Sequence, residues 1–195
     1  MTEPRSYFSD HAHDLAAENT IDDVPQAYID LLDRFIELVG KGRVLDAGCG
    51  HGKDVEYFIE HGLRAIGVDA AEGMVEYARK HKEGEYHRMD VRELSFQSSS
   101  FDGVWCNSVL QFLRPTEMEA ALAELYRVLR PGGVFYTTFK LGDKPVVREE
   151  GEPTRYRVPD RTARKLLIQQ GYSILDMQEA EVNGMQVMNV FCEKE

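Results

Sequence analysis

The sequence predicts an α/β sandwich, a mostly parallel sheet with helices on both faces. Three observations predict it. Short apolar runs alternate with helix-period segments along most of the 195 residues, the pattern of βα units that build parallel sheets. Val44-Leu45-Asp46-Ala47-Gly48-Cys49-Gly50-His51-Gly52 is an apolar run that breaks into alternating glycines ahead of a helix. That arrangement sets a ligand over backbone N–H groups at a helix N-terminus. Near the C-terminus, Asn183-Gly184 between two β-rich segments is a strong hairpin signal.

Taken in order, residues 1–21 show no clear period. Asp10, His11, His13 and Asp14 lie there in a flexible acidic setting, and no metal is expected. Residues 23–39 form an amphipathic helix with Tyr28, Leu31, Leu32, Phe35, Ile36 and Val39 on one broad face. Asp22 or Asp23 can cap it, Pro25 suits its first turn, and its role reads as structural. The first strand starts at Gly42-Arg43, and the helix over 53–61 stops at Gly62. Strands over 63–69 and 86–90 flank a helix that ends near Lys82, and 95–100 is a polar loop. A fourth strand covers 101–109, and a helix opens at Pro115 and runs through Leu129. Pro131-Gly132-Gly133 reads as a turn into a fifth strand, 134–139. From 141 to 159 the chain is charged and rich in Gly and Pro, long enough to serve as a flap. Lys144, Arg148, Glu149, Glu150, Glu152, Arg155 and Arg157 stand in it, with Tyr156 as its inward aromatic. A helix over 160–170 and strands over 172–177 and 187–192 complete the chain.

Composition narrows the function classes. Apolar content of 43% supports a substantial core, and no apolar run reaches the roughly 18 residues of a membrane helix. No charged-then-apolar leader is present. Three cysteines, Cys49, Cys106 and Cys192, without C-x-x-C pairing suit a reducing cytoplasm. The formal net charge is −11, and residues 1–40 hold nine acids against two bases. An acidic chain gains nothing from counterion release, so a nucleic-acid substrate is disfavoured.

The ligand follows from the strand ends. A dinucleotide site wants G-x-G-x-x-G, whereas Gly48, Gly50 and Gly52 give G-x-G-x-G with Lys53 next. Asp46 suits an ammonium group better than a pyrophosphate. Asp69 ends the second strand and can accept both hydroxyls of a ribose, and Asp90 ends the third. The three acids describe a ligand with an amine, a ribose and an adenine, and no phosphate.

On these residues the chain resembles the class I S-adenosylmethionine-dependent methyltransferases, and within them the small stand-alone enzymes related to tellurite-resistance-type methyltransferases. The family's glycine motif matches Asp46 to Gly52, its ribose acid Asp69 and its adenine-flanking acid Asp90. Its post-strand motif matches Leu129-Arg130-Pro131-Gly132-Gly133. The resemblance implies a Rossmann-like three-layer sandwich. Its seven-stranded, mostly parallel sheet has an antiparallel last strand and the order 3-2-1-4-5-7-6. It implies S-adenosylmethionine as cofactor, S-adenosylhomocysteine as product, and a cofactor site of Asp46, Gly48, Cys49, Gly50, Asp69, Ala70, Met74, Asp90, Val91 and Asn107. It also implies one domain over 1–195: an N-terminal cap and helix to residue 40, a cofactor-binding core over 41–140, then flap, last helix and hairpin.

The acceptor side is less determined. Asn107 and Gln111 follow the fourth strand, Lys140 ends the fifth, and Tyr7 and Tyr156 come from the segments expected to wall the pocket. Many relatives carry His where Gln111 stands, and Gln is no general base at neutral pH, so no base is assigned. The expectation is in-line methyl transfer to a small molecule by a cytoplasmic monomer or homodimer. A non-catalytic cofactor- or partner-binding module on the same fold is the alternative. A nicotinamide oxidoreductase is opposed by the glycine spacing and the hairpin, and use of the cofactor for other chemistry stays open.

Overall fold

The computed structural model describes residues 3–144, 151–182 and 184–195. Arg148, Glu149, Glu150 and Asn183, singled out in the sequence, lie outside the described residues. The helices are α1 (Pro4–Asp10), α2 (Ala12–Ala17), α3 (Gln26–Val39), α4 (Lys53–Glu60), α5 (Glu72–His81), α6 (Pro115–Val128) and α7 (Asp160–Gln169). The strands are β1 (Arg43–Ala47), β2 (Arg64–Asp69), β3 (Glu85–Arg88), β4 (Phe101–Cys106), β5 (Leu129–Lys140), β6 (Tyr172–Val182) and β7 (Met185–Lys194). They form one sheet in the order β3-β2-β1-β4-β5-β7-β6. All pairs from β3 to β5 are parallel, and β7 is antiparallel to both β5 and β6.

Two-residue periodicity sends the strand side chains into two cores. Leu45, Ala47, Val104, Cys106 and Phe135 meet Met118, Leu122 and Leu125 of α6 and Ala163 and Leu167 of α7. Val44, Trp105 and Tyr136 meet Leu32 and Phe35 of α3 and Val55 and Phe58 of α4. Helices thus cover both faces, so β1 needs no polar face and Val44 to Ala47 are all buried. Asp46 follows Val44's parity and is a carboxylate on the aromatic side. There Phe35 packs on Phe58 and Trp105, each at 5.3 Å between ring centroids, and Trp105 stacks on Tyr136 at 3.8 Å.

Four details depart from expectation. Residues 3–21, read without a clear period, hold two short helices, which dock on α5 and near β4: Ser9 Oγ accepts from Gly73 N, and Phe8 meets Phe112 edge-on at 5.0 Å. Helix α3 has Pro25 at its N-cap and no side-chain cap, while Asp22 and Asp23 sit in a preceding 3-10 turn. Pro131-Gly132-Gly133 does not separate α6 from the fifth strand. It bulges within β5, where Leu129 pairs with Phe101 and Val134 already pairs with Gly103. Five steps on one strand thus face two on the other, with Gly132 at φ +70° absorbing the excess. Finally β6 and β7 are longer than the 172–177 and 187–192 segments, and pair as far as Val182 with Met185.

Strand order reverses between β1 and β4, the switch point outside whose carboxyl ends α/β sheets bind ligands. Phe35 is fully buried beneath that point. Phe35→Ala should cost about 3–5 kcal/mol, read as a lowered urea midpoint with little change in slope.

Candidate active site

The glycine loop joins β1 to α4 at the switch point. Gly48 and Cys49 N–H groups donate to Val68 O at 2.7 and 2.9 Å, which ties the end of β1 to β2. The three glycines serve different needs. A Cβ on Gly48 would lie 2.1 Å from Val109 Cγ2, and one on Gly52 2.8 Å from the Tyr86 hydroxyl, so both are fixed by the protein's own packing. Gly50, at φ +52°, would meet nothing within 4 Å and opens on the cavity. Of the three, only Gly50 yields its space to a ligand.

That cavity, about 1110 Å³, runs along the strand ends from β3 to β6. Its volume exceeds the usual ~300–1,000 Å³ of a single-ligand pocket. Over β1, β2 and β3 it is lined by Gly48, Cys49, Gly50, Asp69, Ala70, Met74, Asp90 and Val91. Over β4, β5 and β7 it is lined by Asn107, Ser108, Tyr136, Thr138, Lys140, Val187 and Asn189. Gln111 and Tyr156 line it too, whereas Tyr7 does not: Tyr7 stacks on His11 at 4.4 Å, and Phe8 and Arg5 of the same helix reach the cavity instead.

The acids differ sharply. Asp69 Oδ2 accepts from Gly50 N at 2.9 Å and Oδ1 from Ala71 N at 2.8 Å, so the carboxylate is aimed while each oxygen keeps a second lone pair. Burial raises its pKa, against backbone N–H bonds that lower it. Asp46 is 2% exposed, does not line the cavity, and leaves Oδ2 without a partner. Burial above all, then the Asp54 charge, pushes its pKa well up, with Lys53 acting the other way. The expected ammonium partner therefore stands behind the wall. Asp90 is engaged: Arg92 holds both its oxygens at 2.7–2.9 Å, and Arg5 of α1 pairs with Oδ2. Burial pushes its carboxyl up, but the Arg92 and Arg5 contacts outweigh that and hold its pKa below the ordinary value.

Helix α3, read as structural, supplies a residue to this site. Tyr28 lines the cavity and its hydroxyl donates to Asp54. The same oxygen accepts from Asn107 Nδ2 at 3.0 Å and Lys53 Nζ at 3.2 Å. Asp54 also accepts from Lys53 at 2.8 Å and from Trp105 Nε1 at 3.1 Å. Burial, then the Asp54 charge, keeps the phenol protonated far above its usual range. Tyr28 sits on the apolar stripe of an amphipathic helix, so periodicity files it with the core. The readable signal was its hydroxyl at the helix's first turn. Ser108, beside Asn107, holds φ +59°, an uncommon conformation for a residue with Cβ. Gln111 is 6% exposed and donates to Ser108 O at 2.7 Å, leaving Oε1 without a partner.

The described ends of the flap close over this side. Leu141 bridges Val158 in parallel, and Tyr156 N donates to Gln111 O at 2.6 Å. Arg155 pairs with Glu152 at 2.9 Å and lies over the Phe112 ring. Among the described residues no His, Cys, Asp and Glu group could hold a metal ion, and no helix is long and apolar enough to cross a membrane.

The residues fit S-adenosylmethionine on two grounds visible here: Gly50 opens on the cavity without a clash, and the aimed Asp69 carboxylate beside it has acceptor capacity left. Fold and site together define the class I S-adenosylmethionine-dependent methyltransferase architecture. Residues 45–137 match the model of a methyltransferase domain. The malonyl-[acyl-carrier protein] O-methyltransferase of Enterobacter lignolyticus is 35% identical over 109 residues, 55% of this chain and 43% of that protein. The chain thus spans less than half the length of the curated relatives it matches. Among solved structures, Synechocystis magnesium protoporphyrin IX methyltransferase with bound S-adenosylmethionine superposes at TM-score 0.75 and 19% identity, covering 98% of this chain and 95% of that one. Burkholderia thailandensis 1,6-didemethyltoxoflavin N1-methyltransferase gives 0.71 at 22% identity, covering 100% and 91%. At these identities the likeness is one of fold.

Asp46 yields a pH prediction. Its unfolded carboxyl ionises near pH ~3.9, while the folded one, raised by burial, resists. Its contribution to stability is present below that pH and is lost as pH rises toward the folded pKa. Asp46→Asn, which cannot ionise, should flatten this fall and raise stability at neutral pH by about 1–3 kcal/mol, by removing the penalty for ionising a buried group. Thermal unfolding across pH 4–8 checks it; an unchanged profile would contradict it.

Proposed function

We propose that the protein transfers a methyl group from S-adenosylmethionine to a small-molecule acceptor. One observation carries this reading: a single cavity spans both the glycine-loop side and a second wall over β4, β5 and β7, room for two ligands end to end. The cofactor, when bound, supplies an activated sulfonium methyl, and the transfer is an in-line displacement that asks the protein for alignment and exclusion of water.

The chain's own residues divide the work. Asp69 takes the ribose, Gly50 gives the backbone approach, and Met74 and Val91 flank the adenine. Asn107, held by Tyr28, stands at the end of β4 where the two walls meet. Tyr136, hydrogen-bonded to Asn189 at 2.9 Å, Thr138 and Lys140 face the acceptor with Tyr156 above. Hydrogen-bonding groups dominate over β4 and β5, with Glu179 and Glu181 added toward the edge strand, a lining that suits a compact polar acceptor more than a polymer. The chain is read as one domain over 1–195, working in the cytoplasm as a monomer or homodimer without nucleic acid.

The experiment is transfer of labelled methyl from S-adenosylmethionine to panels of small carboxylates, amines, hydroxyls and thiols. Transfer to at least one class is expected. Asp69→Ala should reduce it by about a hundredfold or more, since two hydrogen bonds to a charged group are lost. Cofactor binding without transfer to any class would favour the non-catalytic module. Tyr28→Phe, which keeps the ring and releases Asn107 Nδ2, should lower kcat about tenfold while leaving S-adenosylhomocysteine affinity within about twofold; an unchanged kcat would remove Tyr28 from the reaction.

A further inference from the structure

On the far side of the cavity the protein leaves two hydrogen-bonding groups open. One is on β7. The register sets Thr138, Asn189 and Gln178 side by side across β5, β7 and β6, and all three line the cavity. Thr138 is spent: its Oγ1 accepts from Ser108 N at 2.8 Å and donates to Asn107 Oδ1 at 3.4 Å. Gln178 Nε2 is tied to Asp176 at 2.8 Å. Asn189 is different. Tyr136 beside it is fully buried and stacked on Trp105, and burial, then the Asp54 charge, keeps its phenol protonated. That O–H has to donate, and Asn189 Oδ1 takes it at 2.9 Å. The bond fixes which end of the amide is which, with Oδ1 turned to Tyr136 and both Nδ2 N–H groups left over. Among the described residues those N–H groups have no partner. The other open group is on Gln111, in the turn after β4. Its Nε2 donates to Ser108 O at 2.7 Å and its backbone O accepts from Tyr156 N at 2.6 Å, so the residue is held from both sides. Oε1 stays unpartnered on a side chain that is nine-tenths buried, an acceptor in need of a donor.

We propose that Asn189 and Gln111 read the methyl acceptor, and that it is an uncharged ring of the cyclic-amide class. A carbonyl on one edge accepts from Asn189 Nδ2, and an N–H on another edge donates to Gln111 Oε1. The assignment rests on the methyl-transfer reading above and names its substrate class. One reader gives a proton and the other takes one. An ionised carboxylate has no N–H or O–H for Gln111, and a protonated amine has no lone pair for Asn189. Strand β5 lies between β4 and β7, which sets the two readers about two strand spacings apart, roughly 10 Å at the backbone. They therefore meet different atoms of one ligand. An open-chain amide holds its carbonyl and N–H on neighbouring atoms, whereas a ring can spread them to opposite edges. Phe112, Tyr136 and Tyr156 line the same space, and aromatic faces favour a flat partner. Charges of both signs stand on this side, Lys140, Arg114 and Arg155 against Glu117, Glu179 and Glu181, so charge does not select the acceptor.

The test is labelled methyl transfer from S-adenosylmethionine by the full chain to uracil and quinazoline-2,4-dione, beside benzoate and benzylamine, with S-adenosylhomocysteine binding measured by calorimetry. At neutral pH the last two rings offer only acceptors or only donors. At least one cyclic amide should exceed both in kcat/KM by about tenfold or more, as a lost buried hydrogen bond implies. Asn189→Asp keeps the oxygen that Tyr136 needs but has no N–H. It should raise KM for the cyclic amide about tenfold while kcat and S-adenosylhomocysteine affinity stay within about twofold, and Gln111→Met should do the same. An unchanged KM in Asn189→Asp would overturn the assignment. Transfer to benzoate or benzylamine and to neither cyclic amide would overturn it and leave methyl transfer standing, and that comparison decides even if the variants fail to fold. Binding of S-adenosylhomocysteine with transfer to none of the four would overturn it as well. Failure to bind S-adenosylhomocysteine would instead overturn the cofactor reading beneath it.

Discussion

The buried carboxylate of Asp54 is the contact on which the rest of the site depends. It belongs to α4, yet it accepts from Tyr28 of α3, Trp105 of β4 and its neighbour Lys53. A carboxylate taken out of water needs partners for most of its lone pairs, and losing one of them costs more than the bond itself returns. Three elements distant in sequence are therefore held in one arrangement by a single side chain. Asn107 is positioned through Tyr28, and Trp105 is fixed against Tyr136, whose hydroxyl reaches Asn189 on β7. Hydrogen bonds run from Lys53 through Asp54, Tyr28 and Asn107 to Thr138 of β5, and ring stacking carries the Trp105–Tyr136 step.

Much of the fold was legible because its signals are local. Apolar strand runs, the helix stop at Gly62, and the hairpin near Gly184 depend on a few residues each. The sheet order came through the family resemblance, carried by Asp46 to Gly52, Asp69, Asp90 and the Leu129–Gly133 stretch. Strand length was harder to read. Nothing in Gln178 to Val182, a polar and acidic run, marks a strand, since its pairing with β7 and not its own propensity keeps it extended.

The site was legible where a residue's chemistry is backbone-directed and hidden where it depends on a distant partner. Asp69 is aimed by N–H groups within its own motif and the glycine loop. Asp90 is shared with Arg5, 85 residues away, and no spacing rule reports that. Tyr28 was concealed by helical periodicity, which ranks a tyrosine by its ring and ignores its hydroxyl. Tyr7 and Phe8 are adjacent, and only the docking of α1 against Phe112 decides which of them turns inward.

The two walls of the cavity rest on different mechanical foundations. Strands β1 and β4 have neighbours on both sides and helices on both faces, so the loops that end them sit on a rigid floor. The opposite wall ends in β6, an edge strand, and the last pairs of β6 and β7 continue past Lys140, where β5 stops. Strand β6 carries Gln178, Glu179 and, past Lys140, Glu181, polar side chains that blunt an edge against pairing with other chains. Substitutions there disturb few packed neighbours, while substitutions under the glycine loop disturb many. The architecture thus separates a part that tolerates almost no change from a part free to drift, so the lining of the far wall can change at little cost in folding.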